Sequence, residues 1–268
     1  MKSAWLLSFA LCALVLPLST RAANGDLMPH HAIYKLILDR SPNGMVVSAT
    51  GQMDYQLSDA CEAWATAQRL DMNVTYNDGT TTHMVSDYVT WEQKDGSLLR
   101  FRMHQTSDQK VTADLAGDAI RRPNGTGSIN YTEPADKQVD LPAGTLFPMA
   151  QTVAFLEAAG KGQKFLTAPL FDGTGGNGAE DSFTVMGNFA PLKTTQPANP
   201  RLSASLLQVP SGRVTISFFD RQSTTEVPDY DVAMRYWQNG VSDDVAMDFG
   251  DFVVKGHLTS LSPNDKRC

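Results

Sequence analysis

Several features that carry chemistry in other proteins are missing from these 268 residues. No G-x-S-x-G segment is present to expose a nucleophilic serine, and no P-loop is present to cradle a phosphate. The five histidines show neither an H-x-x-x-H spacing nor clustered cysteine partners, so the sequence predicts no metal site and no cofactor. A net charge of -7 repels phosphate backbones and anionic headgroups, which argues against nucleic-acid partners.

Only one long hydrophobic run exists, and it lies at the N-terminus. Lys2 precedes the apolar run 4–18, and Thr20-Arg21-Ala22 offers small residues where a signal peptidase reads. We therefore expect residues 1–22 to be a secretory signal peptide, and residues 23–268 to form a single exported domain. No second run approaches the ~18 apolar residues of a membrane-spanning helix, so no membrane insertion is predicted.

Cysteine is scarce as well: Cys12 lies in the signal segment, and Cys61 and Cys268 remain after cleavage. An even pair in an exported protein favours a disulfide, because the compartment is oxidising. Two separate thiols, one of them a nucleophile, are the alternative, although no histidine partner is evident. Lipid attachment at Cys12 is disfavoured because Leu11 is too bulky for that signal.

Helical spacing occurs in one segment only. Met149, Val153 and Leu156 recur with a helical period after Pro148, and Gly160 is placed to end the helix. The sequence predicts a helix over 148–159. A single amphipathic helix among strands usually plugs or covers the open end of a barrel or sheet.

Elsewhere apolar and polar residues alternate with the period of a strand. Asn77-Asp78-Gly79 and Asn239-Gly240 are hairpin turns, the second being the strongest such signal in the chain. The fold class is therefore all-β, a single antiparallel domain of about a dozen strands, and parallel α/β folds are excluded. Strand patterns cover residues 32–38, 46–57, 64–76, 80–93, 98–105, 111–115, 119–122, 128–132, 164–169, 182–189, 202–209, 213–220, 230–238, 241–249 and 252–261.

Three patterns deserve a functional interpretation beside a structural one. Gly173, Gly175 and Gly178 spell G-x-G-x-x-G, but a strand pattern follows instead of a helix, so we predict a hairpin loop. The carboxylates 243–244, 248 and 251 would suit acid-base chemistry only if one were buried, which leaves a hydrolase the least favoured hypothesis. Four aromatics are possible walls for an apolar ligand or a partner, although aromatic strand residues usually belong to a core: Trp64, Trp91, Tyr236 and Trp237.

Five segments together resemble the EipB family of periplasmic cell-envelope integrity proteins. They are His31–Leu36, Asp59–Trp64, Leu141–Pro148, Asn239–Ser242 and Asp248–Phe252, followed by the terminal Cys268. One departure is Ala63, where the family pattern leads us to expect glycine. The motifs are specific in combination and weak singly.

The resemblance implies an open, spiral-like β-barrel in the periplasm of a Gram-negative bacterium, with a disulfide that maps onto Cys61 and Cys268. It implies no enzymatic activity and a role in envelope stress resistance through periplasmic protein partners. Its cup-like shape also leaves a second hypothesis open, a carrier for a lipid or another apolar molecule inside the barrel.

Overall fold

The computed structural model describes residues 27–191 and 199–264, which form one antiparallel sheet of 14 strands and one α-helix. The strands are β1 His30–Arg40, β2 Val46–Asp59, β3 Ala63–Tyr76, β4 Thr81–Gln93, β5 Leu98–Ser107, β6 Lys110–Arg121, β7 Gly127–Glu133, β8 Lys137–Leu141, β9 Phe165–Leu170, β10 Glu180–Met186, β11 Ser211–Phe219, β12 Tyr230–Trp237, β13 Ser242–Asp248 and β14 Val253–Pro263. Helix α1 is Pro148–Gly160, and a short 3-10 helix covers Ala204–Leu207. The predicted all-β class, and a helix in that position, are confirmed.

The strand order explains how one ribbon makes an open barrel. Strands β1 to β8 form one meander and β9 to β14 a second, and the two join where β1 pairs with β14. The two edges of the sheet are therefore β8 and β9, which are consecutive strands separated by α1. Because adjacent strands twist in a constant sense, a sheet of this width curls, and its edges approach each other.

The strand prediction was wrong at three places. The segments 111–115 and 119–122 belong to the single strand β6, and β8 was not predicted at all. Residues 202–209 are not a strand, because Leu202, Leu206 and Val209 recur at helical rather than alternating spacing. They pack instead against the apolar cluster that contains Trp237.

Helix α1 plugs the interior of the curled sheet. Its buried Phe155 meets the Tyr236 ring edge-on, with ring centroids 4.9 Å apart, and Leu156 joins the same apolar cluster as Leu57 of β2 and Val214 of β11. The face that carries Tyr236 is therefore the inner face of the sheet. The left-handed glycine after the helix is Gly162, at φ +78°, and not Gly160 as the sequence suggested.

An aromatic cluster, which we call the seam, joins the two edges of the sheet. Phe171, just after β9, lies with its ring centroid 5.2 Å from that of Phe101 on β5 and 6.5 Å from that of Tyr131 on β7, both edge-to-face. Ala179 and Leu141 belong to the same cluster. Since edge-to-face rings and apolar burial both stabilise contacts, the seam adds to the backbone bridge between Leu146 and Leu170 in holding the two edges together, because β8 and β9 themselves do not pair.

Candidate functional site

An exposed apolar surface lies on the outer face of β9 and β10. Phe165, Phe183 and Val185 are 61%, 36% and 37% exposed, and the two phenyl rings stack with centroids 5.7 Å apart. Phe165 pairs directly with Val185 across the two strands. We call these three residues the edge patch.

The edge patch borders a sheet edge with free backbone groups. Lys164 O accepts the Met186 N–H and Pro169 O accepts the Leu146 N–H, so alternate residues of β9 point toward β10 and away from it. The intervening N–H and C=O groups of Phe165 and Thr167 consequently face the open edge. This edge of β9 is therefore bridged by Leu146 at its C-terminal end and is open at Phe165 and Thr167, beside the exposed rings.

A second feature is an acidic cleft of about 430 Å³ between β8 and the loop from β9 to β10. Its wall includes five carboxylates: Asp140, Asp172, Glu180, Asp220 and Asp229. Desolvation raises the pKa of Glu180 to about 7, and repulsion from Asp172, Asp229 and Asp220 adds to that rise. Desolvation also raises the pKa of Asp172. Arg221 also lines the cleft and pairs with Asp181, so the five carboxylates leave an acidic lining that favours protonated or cationic groups over anions.

The described carboxylates of the cleft are not grouped as a metal centre, and one of them is held in a local turn. Within residues 27–191 and 199–264, no three His, Cys, Asp or Glu side chains converge as metal ligands. The Asp172 carboxylate accepts the backbone N–H and the hydroxyl of Thr174, at 2.9 and 2.8 Å, so it is engaged in a local turn.

The glycine-rich loop is the hairpin connection that the sequence predicted. It links antiparallel β9 and β10, and Gly173 adopts φ +83°. A Cβ at Gly173 would lie 2.6 Å from Cγ of Phe101, so the close approach to the seam requires glycine. Tyr131 donates its hydroxyl to Gly175 O at 2.9 Å, and Tyr88 donates to Asp172 O.

Of the four aromatics singled out from the sequence, Trp64 and Tyr236 pack against the same apolar cluster beneath α1. Tyr236 faces the interior against α1, whereas Trp237 is 2% exposed and packs in the cluster that contains Leu206. The Lys94 ammonium lies 4.5 Å above the Trp64 ring, and the Arg100 guanidinium lies 5.3 Å from the Trp91 ring. Since Trp91 neighbours the inward-facing Glu92, it points outward.

The structure describes only one of the two cysteines in the predicted disulfide. Cys61 lies in the turn between β2 and β3, at φ +66°, while Cys268 and the predicted signal peptide, residues 1–22, lie outside the described residues. The last described residue, Asn264, donates its amide to Leu57 O and to Ser58 Oγ, at 3.0 and 2.8 Å. The chain therefore approaches its C-terminus beside the turn that carries Cys61, and the disulfide stays a prediction.

Within the described residues, no helix is both long enough and apolar enough to span a membrane.

The fold and these surfaces define a barrel-like β-protein with an apolar edge and an acidic cleft. The family model described as EipB-like matches residues 21–265, and the chain belongs to that family. The cell envelope integrity protein EipB of Brucella abortus (strain 2308) is 29% identical over 245 residues, which cover 89% of this chain and 85% of that protein.

A solved structure has the same overall fold. The crystal structure of a beta-barrel-like protein of domain of unknown function DUF1849, also from Brucella abortus, superposes with a TM-score of 0.81 at 28% identity. The match covers 89% of this chain and 99% of that one. The predicted family and open β-barrel architecture are both confirmed.

Sequence reasoning missed the edge patch and the acidic cleft for different reasons. Phe165 and Phe183 lie in strands that were predicted, but neither segment alone shows which face is buried. The register of β9 against β10 stacks them on the outside. The cleft joins carboxylates from β8, β10 and the segments 171–179 and 220–229, whose proximity depends on closure of the sheet.

Proposed function

We propose that this protein is a non-enzymatic periplasmic protein that supports cell-envelope integrity and resistance to envelope stress. The observation that carries the proposal is the EipB-like match across nearly the whole chain, together with a relative named for envelope integrity. The apolar run 4–18 supports export from the cytoplasm.

The edge patch supports a protein partner as the mode of action. Exposed aromatic rings and a free strand edge together suit an extended polypeptide, which can add a strand and bury the rings. The carboxylates singled out from the sequence have structural partners, since Asp248 pairs with Arg40 and Asp243 accepts the Leu258 N–H, which favours the non-enzymatic proposal.

Deletion of the gene in the source bacterium, followed by complementation, tests the envelope role. The deletion strain is expected to lose viability on detergent or on a cell-wall antibiotic, and the full-length gene restores it. A copy lacking residues 1–22 stays in the cytoplasm and is expected not to restore it. Equal stress survival of deletion and parent strains would refute the proposal.

A second candidate is a carrier for an apolar ligand in the barrel. The inner face beyond α1 favours it, because Tyr55, Leu70, Met84 and Tyr88 are half-buried there. The neighbouring acidic cleft argues against an anionic headgroup. Native mass spectrometry of protein purified from the periplasm tests this candidate, and the mass of the bare chain alone, across several preparations, would remove it.

A further inference from the structure

A space remains inside the curled sheet beyond the plug formed by α1. Alternate side chains of β4 from Glu92 to Met84 face inward, and Glu92 marks the plugged end, because its carboxylate accepts two N–H groups at the start of α1, both at 2.7 Å. Further along, Tyr55, Leu70 and Met84 face the interior but are only half-buried. Because protein interiors are otherwise close-packed, half-buried inward side chains indicate an unfilled space, which we call the lumen.

The opposite wall of the lumen comes from β12 and the turn that precedes β14. Tyr230, Val232 and Phe252 are also half-buried and pack against the same apolar cluster as Tyr55. Burial raises the pKa of Tyr55, and the nearby Tyr236 of β12 adds to that rise, although three strands separate β2 from β12 in the sheet. The two walls therefore approach each other across the curled sheet.

Four aromatic rings, which we call the mouth, border the lumen at the end away from α1. Ring centroids lie 5.8 Å apart for Phe218 and Tyr230, 5.7 Å for Tyr230 and Phe249, and 5.1 Å for Phe249 and Phe252. Tyr230 begins β12, whereas Tyr236, which contacts α1, lies near the end of that strand, about 20 Å away. Phe249 is 36% exposed, so the mouth reaches the surface.

Uncharged polar groups without partners line the inner face of β2 to β5. Gln68 lies directly opposite Tyr55 across β2 and β3, and Ser86 lies directly opposite Gln105 across β4 and β5. All four are half-buried. Their side chains make no hydrogen bond to any residue within 27–191 and 199–264. We call these four residues the polar strip.

Other inward polar groups in this part of the sheet do have partners. The hydroxyl groups of Thr66 and Thr90 bond to each other at 2.6 Å, and Tyr34 donates its hydroxyl to Ser242 O at 2.8 Å. Since buried polar groups in folded proteins are usually paired, the polar strip is placed to bond with whatever fills the lumen.

The lumen is suited to an uncharged ligand. Desolvation raises the pKa of Tyr55 and of Tyr230, which keeps both hydroxyl groups neutral. The charges that add to the rise at Tyr230 are carboxylates, Asp172 and Asp248 among them, and they repel an anion at the mouth. A cation would have to lose its water inside the lumen, where the polar strip provides no counter-ion.

We propose that the lumen binds one uncharged lipid, an acylglycerol that enters through the mouth, lays its chain against Tyr55, Leu70 and Phe252, and bonds to the polar strip through its hydroxyl and ester oxygens. This inference rests on the second candidate function, the carrier, and gives it a ligand class. The envelope role is tested separately, by stress survival.

Calorimetric titration of the full-length mature protein with three probes of equal chain length tests the ligand class. At neutral pH monodecanoylglycerol is uncharged, decanoate is an anion and decylamine is a cation, and each is used below its micelle concentration. We expect the Kd for monodecanoylglycerol to be at least about tenfold lower than for either charged probe. Equal or tighter binding of a charged probe overturns the ligand class but leaves a carrier, whereas no binding of any probe removes both.

Two variants locate the site. Ser86→Phe fills the lumen from β4 and is expected to weaken binding of monodecanoylglycerol at least about tenfold. Val85→Phe, on the outer face of the same strand, is the matched control and should change the Kd less than about twofold. Gln68→Leu removes one amide from the polar strip and should raise the Kd about fivefold. Wild-type affinity in Ser86→Phe would overturn the proposal.

Photolabelling of the wild type covers the case in which Ser86→Phe fails to fold. Monodecanoylglycerol with a diazirine at the end of its chain is expected to label the inner face of β2 to β4 or of β12, and excess unlabelled lipid should prevent the labelling. Labelling confined to the edge patch, the other apolar surface, would overturn the lumen as the binding site.

Discussion

Removing the Phe171 ring tests whether the seam closes the barrel. Phe171 is 1% exposed and contacts two other rings, those of Phe101 and Tyr131, with centroids 5.2 and 6.5 Å away. Truncation of a buried phenylalanine to alanine costs about 3–5 kcal/mol, through lost transfer free energy and a residual cavity. We expect Phe171→Ala to lower the free energy of unfolding by that amount.

Urea unfolding followed by tryptophan fluorescence measures the change, and Phe183→Ala is the matched control. Phe183 is 36% exposed on the outer face, so its truncation should cost less than about 1 kcal/mol. The denaturant slope should be unchanged in both variants. If the two variants lost the same stability within about 0.5 kcal/mol, the seam would contribute nothing and the reasoning would be wrong.

Three further predictions concern a glycine, a cysteine and a carboxylate. Gly173→Ala should lower the free energy of unfolding by about 2–4 kcal/mol, because the added Cβ meets Phe101. Gly79→Ala, with φ +86° and nothing within 4 Å, is the control and should lose only the backbone strain of about 1–2 kcal/mol. Equal losses of stability in urea unfolding would rule out the contact with Phe101. Cys61→Ser should lower the free energy of unfolding by up to about 5 kcal/mol and match the reduced wild type, and stability equal to the oxidised wild type would contradict the disulfide. Glu180→Gln should raise stability by about 1 kcal/mol at pH 8, because the folded state disfavours ionised Glu180, and the gain should vanish below about pH 4.5; a gain that persists in acid would contradict that cause.

Local patterns predicted the elements well where one face of a strand meets the core and the other meets water. The alternation in 64–76 matches β3, Ala63–Tyr76, and the Asn239-Gly240 turn does connect β12 to β13. The predicted helix 148–159 begins where α1 begins, because Pro148 fixes the start, and α1 ends one residue later than predicted.

The candidate surfaces were harder to predict, because they depend on long-range closure. β8 was missed since its five residues, Lys137–Leu141, are too short to show a clear period. The sequence did not show that residues 202–209 pack over Trp237. Their apolar residues have helical rather than strand spacing, and the segment forms a short helical turn. Glu92 reads as an ordinary polar strand position until α1 is placed against it.

Crosslinking in living cells tests the proposed mode of action most directly. A photoreactive amino acid at position 183, within the edge patch, is compared with the same residue at Val111, which is 59% exposed on β6. We predict that position 183 captures a discrete periplasmic protein under envelope stress and that position 111 does not. Equal capture from both positions, or none from position 183 in cells that depend on the protein for survival, would contradict binding through the edge patch.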